Sequence, residues 1–169
     1  ISRIFMEGKY FEVDANDQTI VEFPDKAETC GIGPCVGVGI MNRKFKRGYL
    51  GHFLSSTTDP EILIDLALIE ARKPNQLEVI LVGNNPTLFQ LEEDCTLEDD
   101  YFSTNEIHEY EELSALVTKE HEDWLKKMVY SKGIPRKNIT LRISANPKIT
   151  AYGLLVDTES GKITIKEEL

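Results

Sequence analysis

Cysteine and histidine are the residues of this 169-residue chain best suited to nucleophilic chemistry, and it has three of each. A cysteine attacks as its thiolate, so its electrostatic surroundings decide its use. Cys95 lies among Glu92, Glu93, Asp94, Glu98 and Asp99, and these carboxylates disfavour a thiolate. Cys30 precedes Gly31 at an expected strand end and reads as a small buried hydrophobe. Cys35 differs. It closes the glycine-rich turn Gly31-Ile-Gly-Pro-Cys35, and Arg43, Lys44, Lys46 and Arg47 follow it in the chain. A thiol on such a turn can stand above a sheet edge. Backbone N–H groups there, around Gly33 and Cys35, can receive an oxyanion.

The histidines sort in the same way. His108 falls in an acidic stretch and reads as solvated, and His121 lies at the boundary of a helical pattern and reads as structural. His52 sits on an apolar strand between Gly51 and Phe53, 17 residues after Cys35. A turn around Arg43–Lys46 would fold Val36–Met41 against Gly48–Leu54 as an antiparallel hairpin. That hairpin would bring Cys35 and His52 side by side. A catalytic imidazole also needs a group to hold it. Thr29, six residues before Cys35, could orient one ring nitrogen through its hydroxyl or carbonyl.

The remaining pattern supplies the scaffold. Tyr10–Val13, Thr19–Phe23 and Ala27–Cys30 read as short strands, the first two joined by the turn-rich Asp14–Asp17. In Val36-Gly-Val-Gly-Ile-Met41, branched residues alternate with glycine, which predicts a strand with one face stripped for close packing. Asp59-Pro60 opens a helix reaching about Arg72, with Ile62, Leu63, Leu66 and Leu68 or Ile69 on its buried stripe. Leu77–Val82 reads as a strand. Leu113–Lys132 reads as a second helix, closed by Gly133. Ile139–Ile143, Ala151–Val156 and Lys162–Lys166 complete the strands. The expected fold class is α+β, one domain over 1–169, with two helices covering sheet faces.

Composition excludes several functions. A net charge of −10 argues against a nucleic-acid binder and against docking on anionic lipid. No apolar run approaches a membrane span. An odd cysteine count and the lack of a secretory leader pattern predict a cytoplasmic setting, and Ile1 in place of Met predicts a trimmed start. From Leu91 to Glu112 there are ten Asp or Glu and no Lys or Arg. This stretch reads as a solvated loop, or as a docking surface for a basic partner or a cation. It lacks the spacing of a calcium loop, and no metal is expected.

Taken together, Thr29-Cys-Gly-Ile-Gly-Pro-Cys35-Val-Gly-Val38 and Gly48-Tyr-Leu-Gly-His52-Phe53 resemble the CheD family of chemoreceptor glutamine deamidases. The family pattern is Thr-Leu-Gly-Leu-Gly-Ser-Cys-Val-Ala-Val, then Gly-Gly-x-Asn-His-Phe. Gly83, Gly133-Ile-Pro135 and Asp157-Thr-Glu-Ser-Gly-Lys162 extend the resemblance over most of the chain, with 91–112 as an insertion. The resemblance implies mixed sheets layered between helices, similar to the cytotoxic necrotizing factor deamidases. It implies Cys35 as nucleophile, His52 as base and Thr29 as the orienting member, with no cofactor. The implied substrate is a glutamine side chain on a protein, such as a chemoreceptor methylation helix, and a CheC-type phosphatase is an implied partner. Pro34 stands where the family has serine and offers no N–H. Gly51 replaces asparagine. Tyr49 replaces the second glycine, and Asn146 is what remains of Gly-Gly-Asn-x-Gly-Arg. Tyr49 and Asn146 are the expected substrate contacts. An interaction module on the same fold, and a cysteine amidase or protease with another substrate, are the competing expectations.

Overall fold

A computed structural model of the chain describes residues 7–54, 59–84, 119–143 and 148–169. The acidic segment 91–112, with Cys95 and His108, lies outside the described residues, and so does Asn146. In chain order the strands are β1 (Tyr10–Glu12), β2 (Asp17–Glu22), β3 (Lys26–Ile32), β4 (Val36–Asn42), β5 (Arg47–Phe53), β6 (Leu77–Gly83), β7 (Ile139–Ile143), β8 (Ala151–Asp157) and β9 (Lys162–Glu168). Helix α1 covers Asp59–Ala71, and residues 119–130 form α2. The class is α+β, as the pattern of strands and helices predicts.

The strands form two mixed sheets, ordered β1-β3-β8-β9 and β2-β5-β4-β6-β7. Pairings β1–β3 and β6–β7 are parallel, and the rest are antiparallel. β1 and β2 do not pair with each other. The Asp14–Asp17 connection carries the chain from one sheet to the other.

Alternation along β4 decides how the layers stack. Val36, Val38 and Ile40 point to the helix side, where they join Leu63, Ile64, Ala67, Leu125 and Val129 in one apolar cluster. The opposite face carries Gly37 and Gly39. A Cβ on Gly37 would sit 2.4 Å from Ile32 Cδ1 and 3.2 Å from Leu154 Cδ1. The stripped face therefore admits the inward side chains of the other sheet. A second cluster, with Ile32, Leu50, Val82, Leu154 and Val156, fills the space between the sheets. Among the described residues the layers run helices, five-stranded sheet, four-stranded sheet. Each fully buried aliphatic side chain contributes about 1.5–3 kcal/mol of transfer free energy.

Two local expectations are corrected. The buried stripe of α1 is Pro60, Leu63, Ile64, Ala67 and Ala71, whereas Ile62 and Ile69 are 58% and 76% exposed. The helix is apolar almost all round, so periodicity did not select a face. The small Ala67 and Ala71 fit closest to the sheet. Cys30 is exposed, not buried. The cause is strand alternation: Ala27 and Thr29 point inward, so Cys30 between Thr29 and Gly31 points out. A β-bulge after Thr29, with Gly31 at φ +67°, adds one residue, so that Ile32 returns to the inward face.

Candidate active site

The hairpin of β4 and β5 has the register expected of it. Val36 pairs with Phe53, and Gly37 pairs with His52. Cys35, one residue before β4, and His52 lie on the same face, toward the space between the sheets, one diagonal step apart. Cys35 is half-buried against the inter-sheet cluster.

β3 reaches this face from the opposite sheet. Alternation with Ala27 turns Thr29 inward toward His52, and the two form a buried hydrogen bond of 2.9 Å between Oγ1 and Nδ1. In the tautomer whose Nδ1–H donates to Thr29 Oγ1, Nε2 carries the lone pair a base needs. Nε2 is buried and has no hydrogen-bond partner among the described residues, Cys35 included. The His52 backbone is also fixed, because the Asn16 N–H donates to its carbonyl at 2.7 Å.

Burial sets the protonation of the pair. It pushes the Cys35 thiol up from its ordinary range. It pushes the His52 imidazole down from 6.5, against a smaller opposing pull from Asp14. The resting pair is therefore a neutral thiol and a neutral imidazole, not a thiolate and an imidazolium.

The same shift has a consequence for stability. His52 and His121 are both held neutral by burial, below their ordinary 6.5. Below pH 6.5 the unfolded chain takes up protons before the folded chain does. Stability is therefore complete above pH 6.5 and falls as pH drops through the lowered folded values. We expect the thermal midpoint to fall between pH 7.5 and 5.5, and the fall to shrink in His52→Gln. A midpoint series at constant ionic strength measures this.

The turn bearing Cys35 is clamped from β6. The Asn84 N–H donates to the Cys35 carbonyl at 2.7 Å. Gly83, at φ +102°, makes that approach possible, since a Cβ there would lie 2.2 Å from the same carbonyl oxygen. Asn84 is buried, and its Oδ1 lies 3.1 Å from His121 Nδ1, which makes their bond N–H to oxygen. His121 stacks on Trp124 with ring centroids 5.5 Å apart. His121 is thus structural, as its helical position suggests, but what it supports is the Cys35 turn. Sequence reasoning missed Asn84. The signal available for it was its place directly after Gly83, at the end of the Leu77–Val82 strand.

Two family positions fall on the other face. Tyr49 is fully buried in the helix-side core, and its hydroxyl donates to Glu70. It borders a groove of about 590 Å³ with Phe23, Asn42, Arg47 and Arg72, at the β4 end away from Cys35. Strand alternation separates it from the face of His52, so it is not brought to the site. Gly51 also faces the helices. A Cβ there would meet the Phe53 ring at 2.3 Å, so an asparagine would displace that ring. Its replacement by glycine does not touch the face that carries Cys35 and His52. Gly33 is buried in the bend leading to Cys35. No group of three His, Cys, Asp or Glu that could hold a metal is gathered among the described residues. No helix among them is long and apolar enough to cross a membrane.

The arrangement defines a cysteine, an imidazole and an orienting hydroxyl on one face at the end of a two-sheet sandwich. No known family model and no curated protein sequence matches this chain.

Proposed function

We propose that the chain is a cysteine hydrolase that deamidates glutamine side chains of proteins. The carrying observation is the buried 2.9 Å hydrogen bond between His52 Nδ1 and Thr29 Oγ1, with Nε2 on the face of Cys35 and unpartnered among the described residues. A histidine held at one nitrogen, open at the other and on the same face as a thiol is arranged as a base; His121 is also open at Nε2, and the hairpin register that sets Cys35 beside His52 is what separates the two. The resemblance of Thr29, Cys35 and His52 to the CheD spacing supports glutamine as the substrate. Chemoreceptor methylation helices, a CheC-type phosphatase partner and a cytoplasmic setting belong to the same reading.

The neutral pair shapes the mechanism. His52 Nε2 takes the thiol proton as Cys35 sulfur attacks the carboxamide carbon. The carbonyl π pair moves to oxygen, and the oxyanion rests on backbone N–H groups that include that of Cys35. A missing donor there costs about 3 kcal/mol of barrier. The imidazolium then protonates the departing ammonia, leaving a thioester. His52 next deprotonates water, which attacks the thioester. Glutamate leaves, and Cys35 regains its proton. The nucleophile and base are not hydrogen-bonded at rest, and such bonds often tighten only in the complex.

The decisive experiment incubates the protein with glutamine-rich helical proteins and follows Gln-to-Glu conversion by mass spectrometry. Conversion at defined positions supports the reading, and its absence across acidic and neutral helices sinks it. Thr29→Val should lower kcat/KM by about 10- to 100-fold, because the imidazole loses its orienting partner. Peptide kinetics check this, with the fold monitored by circular dichroism.

The missing bond between Cys35 and His52 favours a second reading, a binding module on the same scaffold. Iodoacetamide separates the two, with exposed Cys30 as internal reference. Alkylation of Cys35 that falls tenfold or more in His52→Ala supports a working base. Equal rates support the module.

A further inference from the structure

Pro34 removes an N–H from the turn where an oxyanion would sit. Tyr152 holds an unused donor nearby. It is 1% exposed, and its hydroxyl is buried without a hydrogen-bond partner among the described residues. Buried hydroxyls are nearly always paired, because an unpaired one costs free energy. Such a hydroxyl is free to donate to a group that is absent from the resting protein.

The register brings it to the site. Leu154 of β8 touches the Gly37 position of β4 across the two sheets. Ile32, at the end of β3 nearest Cys35, pairs with Tyr152. Moving two residues toward that end takes β8 from Leu154 to Tyr152. The same step takes the other chain segment from Gly37 to Cys35. Side chains two apart share a face. Cys35 and Tyr152 accordingly pack in the same inter-sheet cluster. His52 Nε2 is a second buried polar atom there without a partner.

We propose that Tyr152 is a catalytic residue, whose hydroxyl donates a hydrogen bond to the oxyanion formed when Cys35 attacks an acyl carbon. The inference rests on Cys35 acting as an acyl-transfer nucleophile. In that step the sulfur–carbon bond forms, the carbonyl π pair moves to oxygen, and the thiol proton goes to His52. The phenol keeps its proton and shares it with the oxyanion. It supplies the donor that Pro34 lacks.

The test uses Tyr152→Phe, which keeps the ring and removes only the hydroxyl. Two reactions of Cys35 are followed on its own peptide by mass spectrometry. Acylation by p-nitrophenyl acetate passes through a tetrahedral oxyanion. Alkylation by iodoacetamide does not. The expected result is acylation slowed by about 100-fold, alkylation unchanged within twofold, and a thermal midpoint equal to or above wild type. Acylation at the wild-type rate would overturn the proposal. So would an equal loss in both reactions, which would mean that the variant merely disturbs Cys35. A wild-type protein that acylates with this difference but deamidates no glutamine would refute the glutamine reading and leave Tyr152 as the donor.

Discussion

Replacing Cys35 with alanine will abolish glutamine deamidation and leave the fold in place. In the proposed mechanism the sulfur is the atom that bonds to the substrate, and no second thiol faces inward among the described residues. Cys30 lies one bulge away but points to solvent. Losing a nucleophile from a catalytic unit costs on the order of 10⁶-fold in kcat. The structural cost is small. Cys35 is only half-buried, and the change removes one sulfur from the edge of the inter-sheet cluster. We expect conversion by Cys35→Ala to be indistinguishable from the no-enzyme control, with circular dichroism and thermal midpoint near wild type. His52→Ala should be almost as severe, and the double variant no worse than either alone. Turnover by Cys35→Ala above a few per cent of wild type would remove the nucleophile assignment.

Replacing Gly83 with alanine will be the most destabilising of the single changes considered. Two costs add. A φ of +102° is one that side-chain-bearing residues rarely adopt. The new Cβ would also stand 2.2 Å from the Cys35 carbonyl oxygen and 2.7 Å from Ile32 Cγ2. The first contact is with backbone inside a paired register, Val36 to Gly83, so no side-chain rotation relieves it. Strain of this kind costs about 1–3 kcal/mol, and a forced shift of core backbone brings the total to about 3–5 kcal/mol. Urea unfolding should place the loss in that range. Because Asn84 clamps the Cys35 carbonyl, activity should fall in whatever fraction remains folded. A loss below about 1 kcal/mol would mean that β4 and β6 separate here without cost.

Much of the architecture was legible in local pattern. Strand signals, both ends of α1 and the end of the second helix fell within a few residues of their observed positions, because each rests on neighbours in the chain; the expected helix start at Leu113 lies outside the described residues. The glycine alternation of Val36–Met41 announced a close approach, and Ile32 and Leu154 provide it. The pairing of Cys35 with His52 followed from hairpin geometry, which depends only on a short turn. Errors arose where a distant element decided the outcome. The buried face of α1 was misjudged because an all-round apolar helix takes its orientation from the sheet beneath it. Cys30 was misjudged because the face that β3 buries is chosen by the sheet packed on it: Ala27 and Thr29 face that sheet and Cys30 alternates away from it.

The sequence by itself determined the reactive residue types, their spacing, and the hairpin that puts a cysteine and a histidine on one face. These are local properties, fixed by side-chain chemistry and by the two-residue period of a strand. Tertiary structure decided the rest. It brought Thr29 to His52 from another sheet, buried the thiol and imidazole into a neutral pair, and sent Tyr49 and Gly51 to the opposite face. It also packed Tyr152 into the inter-sheet cluster that Cys35 joins, and tied the Cys35 turn to Asn84 and His121. Each of these depends on which surfaces meet across the sandwich, and burial and register between distant strands exist only once the two sheets have packed.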